Sequence, residues 1–527
     1  MPPARSVLAL SALAVVLAGL PALATHAYGS CPPTPTEVCE RWSVVHDDDS
    51  AVAPARSDQF GVAVLTTPDV VVAVSKNVAL NTEDPYASEA TMLVRGYAPG
   101  DGRQLWSTTY ADRDYVNVTA ATLSPDGTTA YITGGAYNGF PVGATDSQVM
   151  TVALRTSDGA QLWAAHWDAR PDGTDNGKAV VVSPDGTEVY VAGITTSPLG
   201  DLDYVTVAYS AVDGSELWSA VYTGPKERGT DAVFGLAVNP VHDLLYVTGW
   251  SDGVVEYDAD YATVAYALGS TQVDGPGKGR GKGRGKGKPH EDTDGPVAGS
   301  IAWVARYDGL GLNKSERANA VAVSPDGASV YVTGDSYSGP GGGDYGFATV
   351  AYDAVTGAQR WAARYDGAGG FHSASQVVAT ADRVVVTGQA RAADAAEGND
   401  VVTVGYDTAG RQLWTATVAP LRSEDYPRDV ALSPDGATLH LVSTSIPKVN
   451  YTSLARLGVS AYSVSDGALR WSSTVTAGGL DALRGAAVSA DAQTVSVLGD
   501  QTRSADPLGP PSQDIYDSVV LAFDTQP

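Results

Sequence analysis

The chain has 527 residues, 60 acidic against 33 basic, for a formal net charge of −27. That acidic balance argues against a nucleic-acid-binding body and favours a soluble surface or cation-rich partners. An apolar content of 43% is ample for a packed core, which sets aside a disordered acidic chain.

The first residues read as an export signal. Arg5 gives a positive start, Val7 to Leu20 is an apolar run, and Ala22-Leu23-Ala24 has the small residues of a cleavage site. Residues 1–24 are therefore expected to be a signal peptide. The run is shorter than the roughly 20 residues of a membrane span, so the mature protein is expected to be secreted and extracellular, without a transmembrane segment. Residues 25–40 hold the only two cysteines, Cys31 and Cys39, in CPPTPTEVC. In an oxidising compartment they are expected to form a disulfide, worth roughly 2.5 kcal/mol through loop closure.

From there one unit recurs. Trp42, Trp106, Trp163, Trp218, Trp303, Trp361, Trp414 and Trp471 are separated by 64, 57, 55, 85, 58, 53 and 57 residues, the mark of a repeat architecture. In the fourth unit, Asp231 to Asn239, Leu244 to Gly249 and Tyr261 to Tyr266 read as strands, each bounded by turn residues. SPDG turns recur at Ser124–Gly127, Ser183–Gly186, Ser324–Gly327 and Ser433–Gly436, and a second turn, such as DGSELW at Asp213–Trp218, precedes each tryptophan. Four strands per unit, A to D from the axis outward, predict an all-β fold. It is a single eight-bladed β-propeller of four-stranded antiparallel blades over residues 41–527. The chain opens on a lone D-type strand around Trp42 and closes on a C-type strand, Ser518 to Phe523, so an N-terminal strand should complete the last blade. The tryptophans are expected to be packing residues between blades.

The long fourth interval contains a basic glycine-rich insertion, residues 274–296, in which Lys278, Arg280, Lys282, Arg284, Lys286 and Lys288 alternate with glycine. Without apolar residues it reads as a flexible loop, and its charge suits an anionic polymer.

Two acidic series follow the repeat. Asp58, Asp175, Asp231, Glu316, Asp425 and Asp481 precede strand A, with His372 in the sixth unit; Asp203, Asp260, Asp400 and Asp517 precede strand C. Up-and-down blades bring both series to one face, around a mouth of the channel. Oxygen-only ligands suit Ca2+, making the first series metal candidates and His372 with the second series partner-binding candidates. The competing explanation is that each aspartate caps amides of its own loop. No HExxH or GxSxG occurs, so no residue is assigned a catalytic role.

The unit Val321–Trp361 resembles the repeats of secreted bacterial β-propeller proteins. It is also similar to the tryptophan-docking repeat of quinoprotein-type (PQQ-like) eight-bladed propellers, over about residues 40 to 527. The resemblance implies an exported binding, adhesion or assembly protein. Quinoprotein dehydrogenases of that type carry an adjacent cysteine pair beside the quinone and a calcium site. Cys31 and Cys39 are not adjacent, which argues against PQQ. The expectation is an exported, non-catalytic binding or scaffold module, monomeric and possessing a cation-stabilised acidic face. Its partner would be a protein, a glycan or a cation-rich molecule. The alternative is a propeller enzyme with a site in the central funnel, dehydrogenase-like or a hydrolase or lyase.

Overall fold

A computed structural model describes residues 24–26, 40–45, 56–80, 89–113, 115–138, 146–255, 258–269, 296–309, 314–339, 345–367, 370–392, 398–419, 423–447, 456–475, 483–490, 494–504 and 514–524. Among these, every regular element longer than a turn is a β-strand. The blades run in chain order as residues 56–110, 115–167, 176–222, 231–307, 317–365, 372–418 and 423–475. The eighth combines residues 483–524 with Glu40–Val45, which pairs antiparallel to the last strand, Asp514–Asp524. Ala24–His26 adds a short fifth strand at that blade's edge.

The innermost strand of every blade touches the innermost strands of both neighbours, and the last touches the first. The ring is therefore a closed eight-bladed propeller, as the repeat predicts. All eight A strands have a register shift, at positions such as Gly177/Ala179, Ala318/Ala320 and Pro427/Asp429. The extra residue bends the strand where the blades crowd the axis.

The apolar core lies between blades. Tyr246, Tyr261 and Ala265 of blade 4, for example, pack with Val330, Val332, Val350 and Tyr352 of blade 5. Tryptophans on the outer strands complete these layers. Trp163 lies between Tyr131 of its own blade, 5.8 Å away by ring centroid, and Tyr209 of the next, at 6.3 Å. Its indole N–H donates to the Ala211 carbonyl at 3.0 Å, while Gly214, at φ 71°, lies so close over the ring that no Cβ fits. The same bond joins Trp42 to Pro99, Trp106 to Thr156, Trp303 to Ala354, Trp361 to Thr408 and Trp414 to Val464. The packing role expected of the tryptophans is what the fold uses.

Strands Ala259–Ala267 and Ile301–Tyr307 pair directly, and Gly299 N–H closes their turn on the Ala267 carbonyl at 2.8 Å. The insertion therefore leaves from the tip of an otherwise ordinary hairpin. Lys278, Arg280, Lys282, Arg284, Lys286 and Lys288 lie outside the described residues, as do Cys31, Cys39 and the expected signal peptide up to residue 23.

Candidate binding face and interblade carboxylates

Both acidic series come to one face, where strand A begins, B ends, C begins and D ends. The described members do not line the open mouth as the sequence pattern implies. They are drawn into the seams between blades: Asp175, Asp231, Glu316 and Asp425 are at most 1% exposed, and Asp203 is 3% exposed. Asp58 and Asp517 lie on described strands, but their side chains and all of Asp481 are outside the described residues.

The cause is a short backbone link across each seam, between the lead-in to strand C of one blade and the lead-in to strand A of the next. Ser147 pairs in this way with Thr174, Tyr345 with Phe371, and Ala90 with Tyr115. Glu316 N–H likewise donates to the Ala259 carbonyl at 2.5 Å. The two series thereby become interblade pairs. The charge of Asp231 acts on Asp203, that of Asp260 on Glu316, and that of half-buried Asp400 on Asp425.

Local loop bonds satisfy part of each carboxylate. Gly224 N–H donates to Asp231 Oδ2 at 2.7 Å, Ala169 N–H to Asp175 Oδ2 at 3.2 Å, and the Ser423 hydroxyl to Asp425 Oδ2 at 3.0 Å. Burial first, and neighbouring acids after it, push Asp175, Asp203 and Asp425 up to about 6. His372 is 1% exposed; its Nδ1 accepts from Arg391 N–H at 3.2 Å, and Gly367 lies against the ring. That burial withholds His372 from any partner at the surface.

The seam between blades 4 and 5 is the most acidic described. Asp260, Asp308 and Glu316 each place a carboxylate oxygen within 4.8 Å of the others, and Asp258 adds its charge. Arg306 donates twice to Asp260 Oδ2, at 2.8 and 3.0 Å, and reaches the Ser251 hydroxyl at 2.7 Å. Burial, then Asp308, raises Glu316 to about 8. Asp258 and Asp308 escaped the sequence reading because spacing from the SPDG turn does not reach them. Asp308 is instead fixed by its place directly after the closing Tyr307 of strand D.

Aromatic residues on the same face break the eightfold pattern. Tyr115 and Tyr137 meet edge to face at 6.0 Å, with Lys76 over Tyr115 and over Phe60. Tyr345 lies 5.8 Å from Tyr337 and 5.5 Å from Phe371, which is 47% exposed. Arg317 covers Trp250 at 5.9 Å. The repeat alignment passes over these residues because they are not periodic.

The sequence contains only two cysteines, Cys31 and Cys39, and they are not adjacent. The residues therefore do not fit a quinone held beside a vicinal cysteine pair.

Among compared proteins, a family model described as outer membrane protein assembly factor BamB matches residues 296–505. No curated protein matches. Solved structures with similar folds include quinohemoprotein alcohol dehydrogenase from Comamonas testosteroni, with a TM-score of 0.44, 12% identity and coverage of 90% of this chain and 76% of that one. A europium-containing methanol dehydrogenase gives a TM-score of 0.44, 11% identity and 90% and 93% coverage. The WD40 domain of SCAP from fission yeast gives 0.41, 10%, and 89% and 98%. From the last strand of blade 4 into blade 8, then, the chain carries repeats like those of PQQ-type and BamB-type propellers, set in a ring of one construction throughout.

Proposed function

We propose that the protein is an exported binding or scaffold module that takes its partner, a protein or glycan, on the face where the D-to-A and B-to-C connections emerge. The observation carrying this reading is the aromatic set Tyr115, Tyr137, Trp250, Tyr345 and Phe371. It breaks the symmetry of a face whose acids are otherwise committed to seams. Aromatic rings edged by polar and cationic groups supply apolar contact with directional bonding at its rim.

Phe371 and Tyr345 supply the test. Binding to a glycan array and to candidate surface proteins is expected for the mature chain, and the double change Phe371→Ala with Tyr345→Ala should weaken it while Tm stays within a few degrees. Undiminished binding removes the face from the account. Dye reduction that depends on added PQQ would replace the binding reading with the enzymatic one.

The basic insertion supports a second contact, with anionic polymer. The mature protein should be retained on heparin and released by salt, and deleting residues 275–289 should abolish retention. Equal retention after deletion would remove the loop from this role.

A further inference from the structure

The five seams from blade 2 to blade 7 each bring three described positions together: the lead-in to strand C, the residue after strand D, and the lead-in to the next strand A. Between blades 2 and 3 these are Gln148, Asp168 and Asp175, and the Gln148 amide donates to Asp168 at 3.0 Å. Between blades 3 and 4 they are Asp203, Thr223 and Asp231, and the Thr223 hydroxyl donates to Asp203 at 3.0 Å. Between blades 5 and 6 they are Gly346, Asp366 and His372, and between blades 6 and 7 Asp400, Ala419 and Asp425. Acid is thus mixed with a donor or a small residue in each of these. Between blades 4 and 5 the three are Asp260, Asp308 and Glu316, and all are acids.

A second observation concerns the individual oxygens. Asp258, Asp260 and Glu316 are 9%, 8% and 1% exposed. Oδ1 of Asp258, Oδ1 of Asp260 and Oε2 of Glu316 are each buried without a hydrogen-bond partner. Neighbouring cations leave these oxygens unserved. Arg306 is spent on Oδ2 of Asp260 and on Ser251, and Arg364 on Ser336, Tyr337 and Asp366. Unpaired buried carboxylate oxygens are costly, and several of one sign at one place compound the cost.

A cation held by Asp260, Asp308 and Glu316 offsets this charge, and Asp258 adds its own negative charge beside it. Ca2+ binds six to eight oxygens at about 2.4 Å, so ligands on opposite sides of it stand about 4.8 Å apart. The spacing of the three carboxylates falls within that sphere. Exposed Asp308 gives the ion a way in, and water can complete the shell there.

We infer that Asp260, Asp308 and Glu316, with Asp258 beside them, form a Ca2+ site that clasps blade 4 to blade 5. The ligands come from both blades, so the ion ties two sectors that otherwise repel at this point. The site goes beyond the binding reading and stands whichever partner the face takes.

The test uses the mature protein, freed of metal with EDTA, then given millimolar CaCl2 or terbium. Calcium should raise Tm by several degrees, and terbium should give tyrosine-sensitised emission, since Tyr307 lies within reach of the charges of Glu316 and Asp308. Asp308→Asn, at an exposed position, and Glu316→Gln should each cut the calcium increment and the terbium emission by more than half. Asp203→Asn, one seam away, should leave both intact. The proposal is overturned if the wild type shows neither response, or if both variants keep the full increment. It is also overturned if Glu316→Gln shifts Tm equally with and without calcium, as a merely structural glutamate would.

Discussion

At the scale of single residues, the repeat is held by small, separable chemistry. In each SPDG turn the serine hydroxyl donates to the aspartate, as Ser183 does to Asp185 at 2.6 Å, while the serine oxygen accepts from the strand beyond, as from Glu188 N–H at 2.9 Å. His440 departs from this economy. It occupies the place where Tyr131, Tyr190, Tyr246 and Tyr331 lie against a tryptophan, at 5.8 Å from Trp471, with neither ring nitrogen bonded. Burial, then Arg470, lowers it to about 4. Its folded value lies below its ordinary one, so the stability it permits is present above about pH 6.5 and lost as pH falls toward 4. His440→Tyr should therefore stabilise the protein by about 1 kcal/mol at neutral pH and by more at pH 5, read by chemical denaturation at both.

Asp175, Asp203 and Asp425 act in the opposite sense. Each is raised to about 6 from an ordinary 3.8, so its contribution is fully present below about pH 4 and lost as pH rises through 6. Exposed turn acids such as Asp126, Asp185 and Asp326, held low by serine hydroxyls, lose their contribution only below the ordinary carboxylate value. In metal-free buffer Tm should rise on moving from pH 7.5 to pH 5 and fall again below pH 4. A flat or monotonic profile would show the seam carboxylates to be better satisfied than their burial implies.

At the scale of elements, the hairpin that carries the insertion shows what the tryptophan bond contributes. Trp218 still stacks beneath Gly299, yet its indole nitrogen is buried without an acceptor among the described residues. Trp303 has both the stack and a 3.0 Å bond to Ala354. Trp303→Phe should therefore cost about 1 kcal/mol more than Trp218→Phe, measured as the difference in urea unfolding free energies. Equal costs would mean that the ring alone carries the docking.

Blade count, strand order and the docking role of the tryptophans were legible from sequence, because one pattern written eight times averages out local ambiguity. The site was half legible. Periodicity found Asp175, Asp203, Asp231, Asp260, Glu316 and Asp425. It could not show that members of separate series meet across seams, since that depends on the backbone link between neighbouring blades. It also missed Asp258, Asp308 and the aromatic residues, which depart from the repeat.

At the scale of the whole molecule, the ring depends on Glu40–Val45, whose Trp42 is 2% exposed and packs 6.2 Å from Tyr97. Trp42→Ala should cost about 3–5 kcal/mol. Because it uncovers the edge of Asp514–Asp524, it should also promote self-association, visible by light scattering. A monomer of unchanged stability would show that closure does not rest on this strand.

The way that strand is paired has a mechanical consequence. Glu40 lies opposite Phe523, and Val45 opposite Val519, so once the short edge strand Ala24–His26 is detached, the chain enters Glu40–Val45 and leaves Asp514–Asp524 at the same end of one ladder. Tension applied between them loads the hydrogen bonds one after another, like a zipper, and never all at once. A propeller tethered by both ends in a moving fluid would yield at this blade first and at low force, while the other seven stayed intact.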